Sequence, residues 1–458
     1  MNPYLGLPLF ASADLDTPFA WRSEAGQIRS ISRRRLLAEA ALLARHMSGH
    51  LAPGAGILNL CADRYRFAVG FVAGLLLDAV SLQPASQSAE TLAEIAERYP
   101  GSLCLRDGAG DSLPAVLHDF SFPDLSAARA AEAGSLPHIP ADRIVAVLFT
   151  SGSTGHPQAQ QKTWGKLVAN VRAGASALGL EHRPQHIVAT VPVQHSYGFE
   201  SSFLPALYTA SAFWAGKPFY PQDIAAALAS VPRPRLLVST PFHLAALLDA
   251  GVELPAIDLI LCATAPLPAE LAVRAETLLG APLLEIYGST ESGQLASRQT
   301  ARDTAWTLLD GVQLEEEGER VYAQGRHVEG CVPLGDYVVV QKDGRFQLLG
   351  RHADVINVAG KRTSLAWLNH QISAIPGVRD AAFYLPQARA GQHIVRLAAF
   401  VVAPDLSPRD LLAALRQRID PAFLPRPLHF CAALPRNDTG KLTQNAFEIL
   451  YQQAIRHG

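Results

Sequence analysis

Ile144-Val145-Ala146-Val147-Leu148-Phe149-Thr150-Ser151-Gly152-Ser153-Thr154-Gly155 is the stretch on which the reading of this chain turns. Its first half is an apolar run of β-branched and bulky residues, the pattern of a buried strand. Its second half has two glycines that let the backbone turn tightly and four hydroxyl side chains that can face an anion. The spacing is not that of the triphosphatase loop, G-x-x-x-x-G-K-[ST], and no lysine follows Gly155. Pro157 interrupts the chain, and Leu167, Val168, Val171, Ala175 and Leu178 are spaced as the apolar face of a helix over about 166–180. Alone, the hexapeptide from Thr150 to Gly155 also fits an ordinary Gly/Ser-rich turn. Its company along the chain decides.

With 458 residues the chain exceeds one comfortable core, so at least two domains are expected. A hydrophobic fraction of 49%, a charged fraction of 17% and a net charge of -2 describe a globular protein. There is no basic excess to grip nucleic acid or an anionic membrane. Cys61, Cys104, Cys262, Cys331 and Cys431 are scattered and odd in number, which reads as reduced thiols in a cytoplasmic protein. The amino terminus does not read as a signal peptide, and the apolar patch Phe67 through Leu77 is too short to span a bilayer. The fifteen histidines form no zinc-like spacing.

The first 105 residues alternate strand and helix. Trp21, Ile28 and Ile31 belong to a hairpin around Gly26. Ser32 caps a helix, and strands near 57–60, 80–82 and 102–105 enclose helices over 66–77 and 88–98. Residues 107–140 form a meandering connection with a short helix over 125–133. The alternation then resumes through strands at 187–191, 236–239, 259–263 and 284–287. From Trp306 short antiparallel strands follow, turned by glycines at 318, 330 and 344. A third texture, from about Gly350, mixes helices and strands. The expected fold is therefore α/β: a large N-terminal domain, 1–350, with layered α/β subdomains and a small antiparallel β subdomain, then an α+β domain, 351–458.

Five segments in order resemble the adenylate-forming superfamily of acyl- and aryl-CoA synthetases, luciferases and adenylation domains. Thr150 to Gly155 with Pro157 resembles its phosphate loop, and Tyr287-Gly288-Ser289-Thr290-Glu291 its nucleotide and magnesium motif. Gly335-Asp336 falls at its ribose-binding Asp. Gly350-Arg351-His352-Ala353-Asp354, with Asn357, Gly360 and Arg362, resembles its interdomain hinge. Pro435-Arg436-Asn437-Asp438-Thr439-Gly440-Lys441 resembles its carboxy-terminal lysine loop.

The resemblance implies a ligase using ATP and Mg2+, with a mobile C-terminal domain. A carboxylate would attack the α-phosphate of ATP, and a thiol would then displace AMP. On that reading Thr150, Ser151, Gly152, Ser153, Thr154 and Gly155 hold the β- and γ-phosphates, Tyr287 belongs to the nucleotide site, and Thr290 meets the α-phosphate. Glu291 is the metal ligand. Asp336 accepts from the ribose hydroxyls, Arg351 and Arg362 reach ribose or phosphate, and Lys441 bridges the carboxylate and the transferring phosphoryl group. His195, in Gln194-His195-Ser196-Tyr197-Gly198-Phe199-Glu200, lines the acyl pocket and thiol entrance or packs against Tyr197. Taken singly, Lys441 also fits an exposed lysine, Glu291 a helix-start carboxylate and Asp336 a turn cap.

The chain departs from the pattern at Gln158, where a lysine usually follows the proline, and at Ala353, where the hinge is commonly acidic. Lys162 is the nearest cation to the first gap and is expected to serve the phosphates instead. The region 152–164 and the segment 194–200 resemble aryl-acid ligases of aryl-polyene and xanthomonadin-type pigment pathways. That likeness implies a hydroxybenzoate-like acid and an acyl carrier protein as thiol acceptor. Tyr197, Phe199 and the apolar Ala263-Thr264-Ala265-Pro266 region suit a flat aromatic acid, and would also suit a short aliphatic one. An aryl- or acyl-CoA ligase is the alternative within the same chemistry, and a degenerate nucleotide-binding module the alternative outside it.

Overall fold

A computed structural model of the chain describes residues 6–24, 26–51, 54–108, 113–128, 134–151, 157–318, 320–351, 355–358, 361–386, 396–436, 442 and 444–457. A large α/β part with two main sheets precedes a smaller α+β part. The first sheet has six strands in the order Pro157–Thr163, Ile144–Ser151, Val80–Gln83, Gly56–Asn59, Leu103–Arg106 and His118–Ser121. All neighbours are parallel except the first pair. The second has nine strands, and its centre, from Leu283–Ser289 through Leu259–Cys262, Arg235–Ser239, His186–Ala189 and Ala212–Trp214 to Pro18–Glu24, is parallel.

Strand alternation explains the layering. In Arg235–Ser239, Leu236 and Val238 point into one core while Leu237 points into another. A strand buried on both faces needs a continuous apolar run, and these strands have one. The helix Arg64–Leu76 is buried on nearly every side and shares its core with strands of both sheets. That accounts for the long apolar run that had to be weighed against a membrane segment. Among the described residues no helix is long and apolar enough to cross a membrane.

The cap expected at Ser32 is present, and Asp63 and Ser88 cap the next two helices. Ser32, Asp63 and Ser88 each accept a main-chain N–H three residues on, at 3.3, 2.8 and 3.3 Å. Three expectations change. No helix occupies the described part of 125–133: residues 126 and 127 form a turn, with Asp124 accepting from Ser126 N at 2.9 Å, and 129–133 lie outside the described residues. His118–Ser121 is a sheet-edge strand inside the expected meander. The polar segment Pro157–Thr163 is also a strand, paired antiparallel with Ile144–Ser151. As an edge strand it tolerates Pro157 and exposed glutamines, and its alternation is too polar to announce itself.

Beyond the second sheet, Val312–Glu317, Arg320–Gly325 and Val332–Pro333 form the antiparallel sheet, and Asp336–Val340 pairs with Phe346–Arg351. The smaller part carries a three-stranded sheet, Asp380–Tyr384, Ala398–Val402 and Leu428–Phe430, with the helices Leu365–Ser373, Pro408–Arg416 and Gln444–His457. Its two cores draw on residues from Ile356 onward.

Candidate active site

The strand Leu283–Ser289 turns through Thr290, Glu291 and Ser292 into Gly293–Arg298, so Thr290 and Glu291 stand at the tip of a hairpin closed by the Ser289–Gly293 pair. The tip is tied to itself. Ser289 N donates to Ser292 Oγ at 3.1 Å, and Ser292 N donates to Ser289 Oγ at 3.2 Å. Gly288 is required here because a Cβ at that position would stand 2.1 Å from the carbonyl oxygen of Gly293. The Glu291 carboxylate is half-exposed.

A second segment follows the strand His186–Ala189. The loop from Pro192 curls back so that His195 N donates to Pro192 O at 3.3 Å, and a Cβ on Gly198 would stand 2.0 Å from that same oxygen. Its outer support is Arg64, a buried guanidinium that donates to the carbonyls of Ala189 (2.9 Å) and Val191 and to Ser202 Oγ (3.2 Å). Burial pushes the Arg64 pKa down to about 10. Gln194 Nε2 donates to the carbonyl of Cys61 at 2.7 Å. The two segments meet where Ser196 Oγ lies 3.1 Å from Thr290 Oγ1.

Tyr287 and Asp336 also come together. The phenol donates to Asp336 Oδ2 at 2.8 Å, and its ring packs 5.6 Å from Trp306 and 5.7 Å from Phe346. Asp336 is the register partner of Arg351 across the Asp336–Val340 and Phe346–Arg351 pair. The expected ribose Asp and hinge Arg are therefore neighbours in the backbone. Arg362 pairs with Asn357 in a small hairpin. The side chains of Ser151, Arg351 and Arg362, the residues Gly152, Ser153, Thr154 and Gly155, and Lys441 lie outside the described residues. Around Lys441, an antiparallel bridge joins Arg436 to Leu442, and Arg436 donates to both oxygens of Asp380 at 2.8 and 2.6 Å.

The strands on either side of the expected phosphate loop, Ile144–Ser151 and Pro157–Thr163, pair with each other as the two arms of a hairpin. Ser151 pairs with Pro157 and Thr150 with Gln158, so the departure at Gln158 lies across the stem from half-buried Thr150. Lys162 sits further down that hairpin. It is 4% exposed, and its Nζ donates to the main-chain carbonyl of Glu291 at 3.1 Å. Burial lowers its pKa, and the carboxylates of Glu200, Glu329 and Glu291 oppose that shift.

One aromatic expectation needs correction. Phe199 is 0% exposed and packs among Phe67, Phe71 and Phe203, so it is core and not pocket wall. The Tyr197 hydroxyl lies 3.1 Å from the carbonyl of Ser239 and 3.0 Å from that of Leu261, and burial holds its pKa well above the ordinary phenol range. Sequence reasoning missed Arg64, whose presence in an apolar helix is the one signal that could have found it. Thr264, within the region 263–266 expected to suit the acid, is a β-branched residue at φ 84 after the strand Leu259–Cys262, and its Oγ1 is buried without a hydrogen-bond partner.

The fold and the meeting of these segments at strand ends define a class of enzymes that activate carboxylic acids as adenylates. A model of the family described as AMP-binding enzyme matches residues 13–333, and the chain belongs to that family. It is an adenylate-forming acid–thiol ligase. The 4-coumarate–CoA ligase of Cereibacter sphaeroides is 30% identical over 295 residues, 64% of this chain and 69% of that protein. The anthranilate–CoA ligase of Pseudomonas aeruginosa is 25% identical over 473 residues, covering 90% of this chain and 89% of that protein. ATP-bound MatB from Rhodopseudomonas palustris shares the fold with a TM-score of 0.83 at 20% identity, covering 98% of this chain and 100% of that one.

These relatives correct the expected thiol acceptor. The coumarate and anthranilate relatives, similar to this chain over 64–90% of its length, are CoA ligases, which overturns the reading that an acyl carrier protein receives the acyl group. The narrower likeness to pigment-pathway ligases has no support among these relatives. Its residues around 158–164 include a hairpin strand whose buried lysine holds the Glu291 carbonyl, a contact that does not involve a thiol acceptor.

Proposed function

We propose that this chain uses ATP to activate a carboxylic acid of the aryl class and passes the acyl group to coenzyme A. The observation that carries the reading is the contact between Thr290 Oγ1 and Ser196 Oγ, which sets the nucleotide motif against the segment holding His195. Adenylation needs an acid and an α-phosphate side by side, and this is a place where the two would meet. The aryl class is supported by the coumarate and anthranilate ligases among the relatives.

A carboxylate oxygen of the acid attacks the α-phosphorus as its bond to the bridging oxygen breaks, giving acyl-AMP and pyrophosphate. The sulfur of CoA then attacks the acyl carbon, AMP leaves, and the thiol proton passes to AMP or solvent. Thr150 and the loop 151–155 hold the outgoing phosphates, Thr290 the α-phosphate, and Asp336, fixed by Tyr287, the ribose. Arg351 and Arg362 add charge at ribose and phosphate. His195 lines the acid and thiol side. Lys441 bridges the attacking oxygen and the phosphoryl group, where a mobile ammonium is most effective late in the step.

The donor set fits Mg2+. Glu291 offers a half-exposed carboxylate beside the Thr290 hydroxyl, and Mg2+ is commonly held by one or two carboxylates plus substrate phosphates. Among the described residues no group of three or more His, Cys, Asp or Glu could hold a metal by itself. Bound there, the ion neutralises charge building on the phosphates. The chain divides into 1–350 and 351–458, the second carrying Lys441. Its five cysteines, all unbridged, suit the cytoplasm.

The test is pyrophosphate exchange into ATP with cinnamates, benzoates and short fatty acids, each active acid then being offered CoA. Exchange with an aryl acid followed by acyl-CoA formation is expected. Exchange with no acid, or acyl-AMP that CoA does not consume, overturns the reading. Lys441→Ala is expected to lower exchange by about a hundredfold or more while calorimetry shows ATP still binding.

A further inference from the structure

Lys162 presents a physical problem. A buried ammonium costs several kcal/mol unless compensated, roughly, and an apolar side chain of similar size would suit the site better on stability alone. It also stands five residues along an extended strand from Pro157, roughly 17 Å at about 3.4 Å per residue, too far down the hairpin to serve its tip directly. Its described hydrogen bond goes to the carbonyl of Glu291, the residue that presents a carboxylate to the metal.

The surroundings make this contact part of a built unit. Glu200, 5% exposed, is the foremost of the carboxylates acting on Lys162; burial raises its own pKa, and Lys162 and Asn170 oppose that shift. Asn170 Oδ1 in turn accepts from Gln294 N at 3.2 Å, in the return strand of the Thr290–Glu291 hairpin. Gln294 Nε2 donates to Ser201 Oγ at 3.0 Å. The phosphate hairpin, the segment of His195 and Glu200, and the Glu291 hairpin therefore meet around the buried side chains of Lys162, Glu200, Asn170 and Gln294.

We propose that Lys162 is a positioning residue: through the main-chain carbonyl of Glu291 it sets the hairpin tip that presents the Glu291 carboxylate to the metal–nucleotide, with Glu200 as its buried counter-charge. The proposal rests on the reading that Glu291 meets Mg2+ and ATP. It replaces the expectation that Lys162 touches phosphate itself.

The test uses the full chain, a non-hydrolysable ATP analogue, and Mn2+ read by electron paramagnetic resonance. In Lys162→Met, Mn2+ affinity of the protein–nucleotide complex is expected to fall about tenfold, while metal-free affinity for the analogue stays within about twofold. Lys162→Met combined with Glu200→Gln removes the unpaired carboxylate. It is expected to recover thermal stability but not metal affinity, and it decides the matter should the single variant fail to fold. An equal fall in metal-free affinity would make Lys162 a direct phosphate ligand and overturn the proposal. So would unchanged Mn2+ affinity, or full recovery of it in the double variant, which would make the role merely structural. Wild-type chain that binds no Mn2+–nucleotide overturns the functional reading itself, and the inference with it.

Discussion

At the level of single residues, the Tyr287–Asp336 hydrogen bond joins side chains 49 positions apart. Both residues are legible in the sequence as motif members, but their bond is not, because nothing local records which strand end folds over which. Hydrogen bonds to a charged group contribute about 1.5–3 kcal/mol, so Tyr287→Phe is expected to raise the KM for ATP about tenfold and leave kcat within about twofold. Steady-state exchange kinetics check this, and a fall in kcat with unchanged KM would count against a ribose-positioning role. Thr264 carries the opposite lesson. Its left-handed backbone is costly for a β-branched residue, and strain of this kind clusters at working sites. The string Ala263-Thr264-Ala265-Pro266 shows the residues but not the φ angle.

Among elements, strand ends are tied by charges that the pattern of apolar residues does not reveal. Asp258, just before the strand Leu259–Cys262, accepts from Arg183 at 2.7 Å, from Arg233 at 3.1 and 2.7 Å, and from Arg235 N at 2.9 Å. The Arg233 guanidinium is the main cause of its lowered pKa. A carboxyl with a lowered folded-state pKa stabilises fully above its unfolded value of 3.8 and loses that contribution as pH falls through the folded value. The arginines are more than half exposed, so solvent screening holds the cost of Asp258→Asn to about 1 kcal/mol near neutral pH. Paired denaturation curves are expected to show the two proteins converging as pH drops below 3.8. A constant difference would mean the loss is one of packing.

For the whole molecule, the cores of the smaller part draw on residues from Ile356 onward, separate from those around the two main sheets. Separate cores unfold separately when their interface is modest. Scanning calorimetry is therefore expected to resolve two transitions, the smaller with an enthalpy of about 60–80 kcal/mol, as for a domain of roughly 100 residues. One cooperative transition for the full chain would show the two parts to be energetically fused. The identity of the thiol acceptor also belongs to this scale. Short motifs near the phosphate hairpin suggested a carrier protein, whereas comparison over most of the chain points to CoA.

By itself the sequence determined the alternation of strand and helix, the cap at Ser32, the order of the motifs and the split into a larger and a smaller part. These rest on periodicity and turn chemistry, which act over a few residues and are written in neighbouring letters. Only the tertiary structure decided that Pro157–Thr163 is a strand, that Phe199 is core, that Arg64 braces the loop of His195, and that Lys162 holds Glu291. The strand takes its partner from the preceding strand, Ile144–Ser151, while the other three outcomes depend on partners more than a hundred residues away. A buried polar group takes whichever partner the fold brings within reach, and that choice is made by packing rather than by the local sequence.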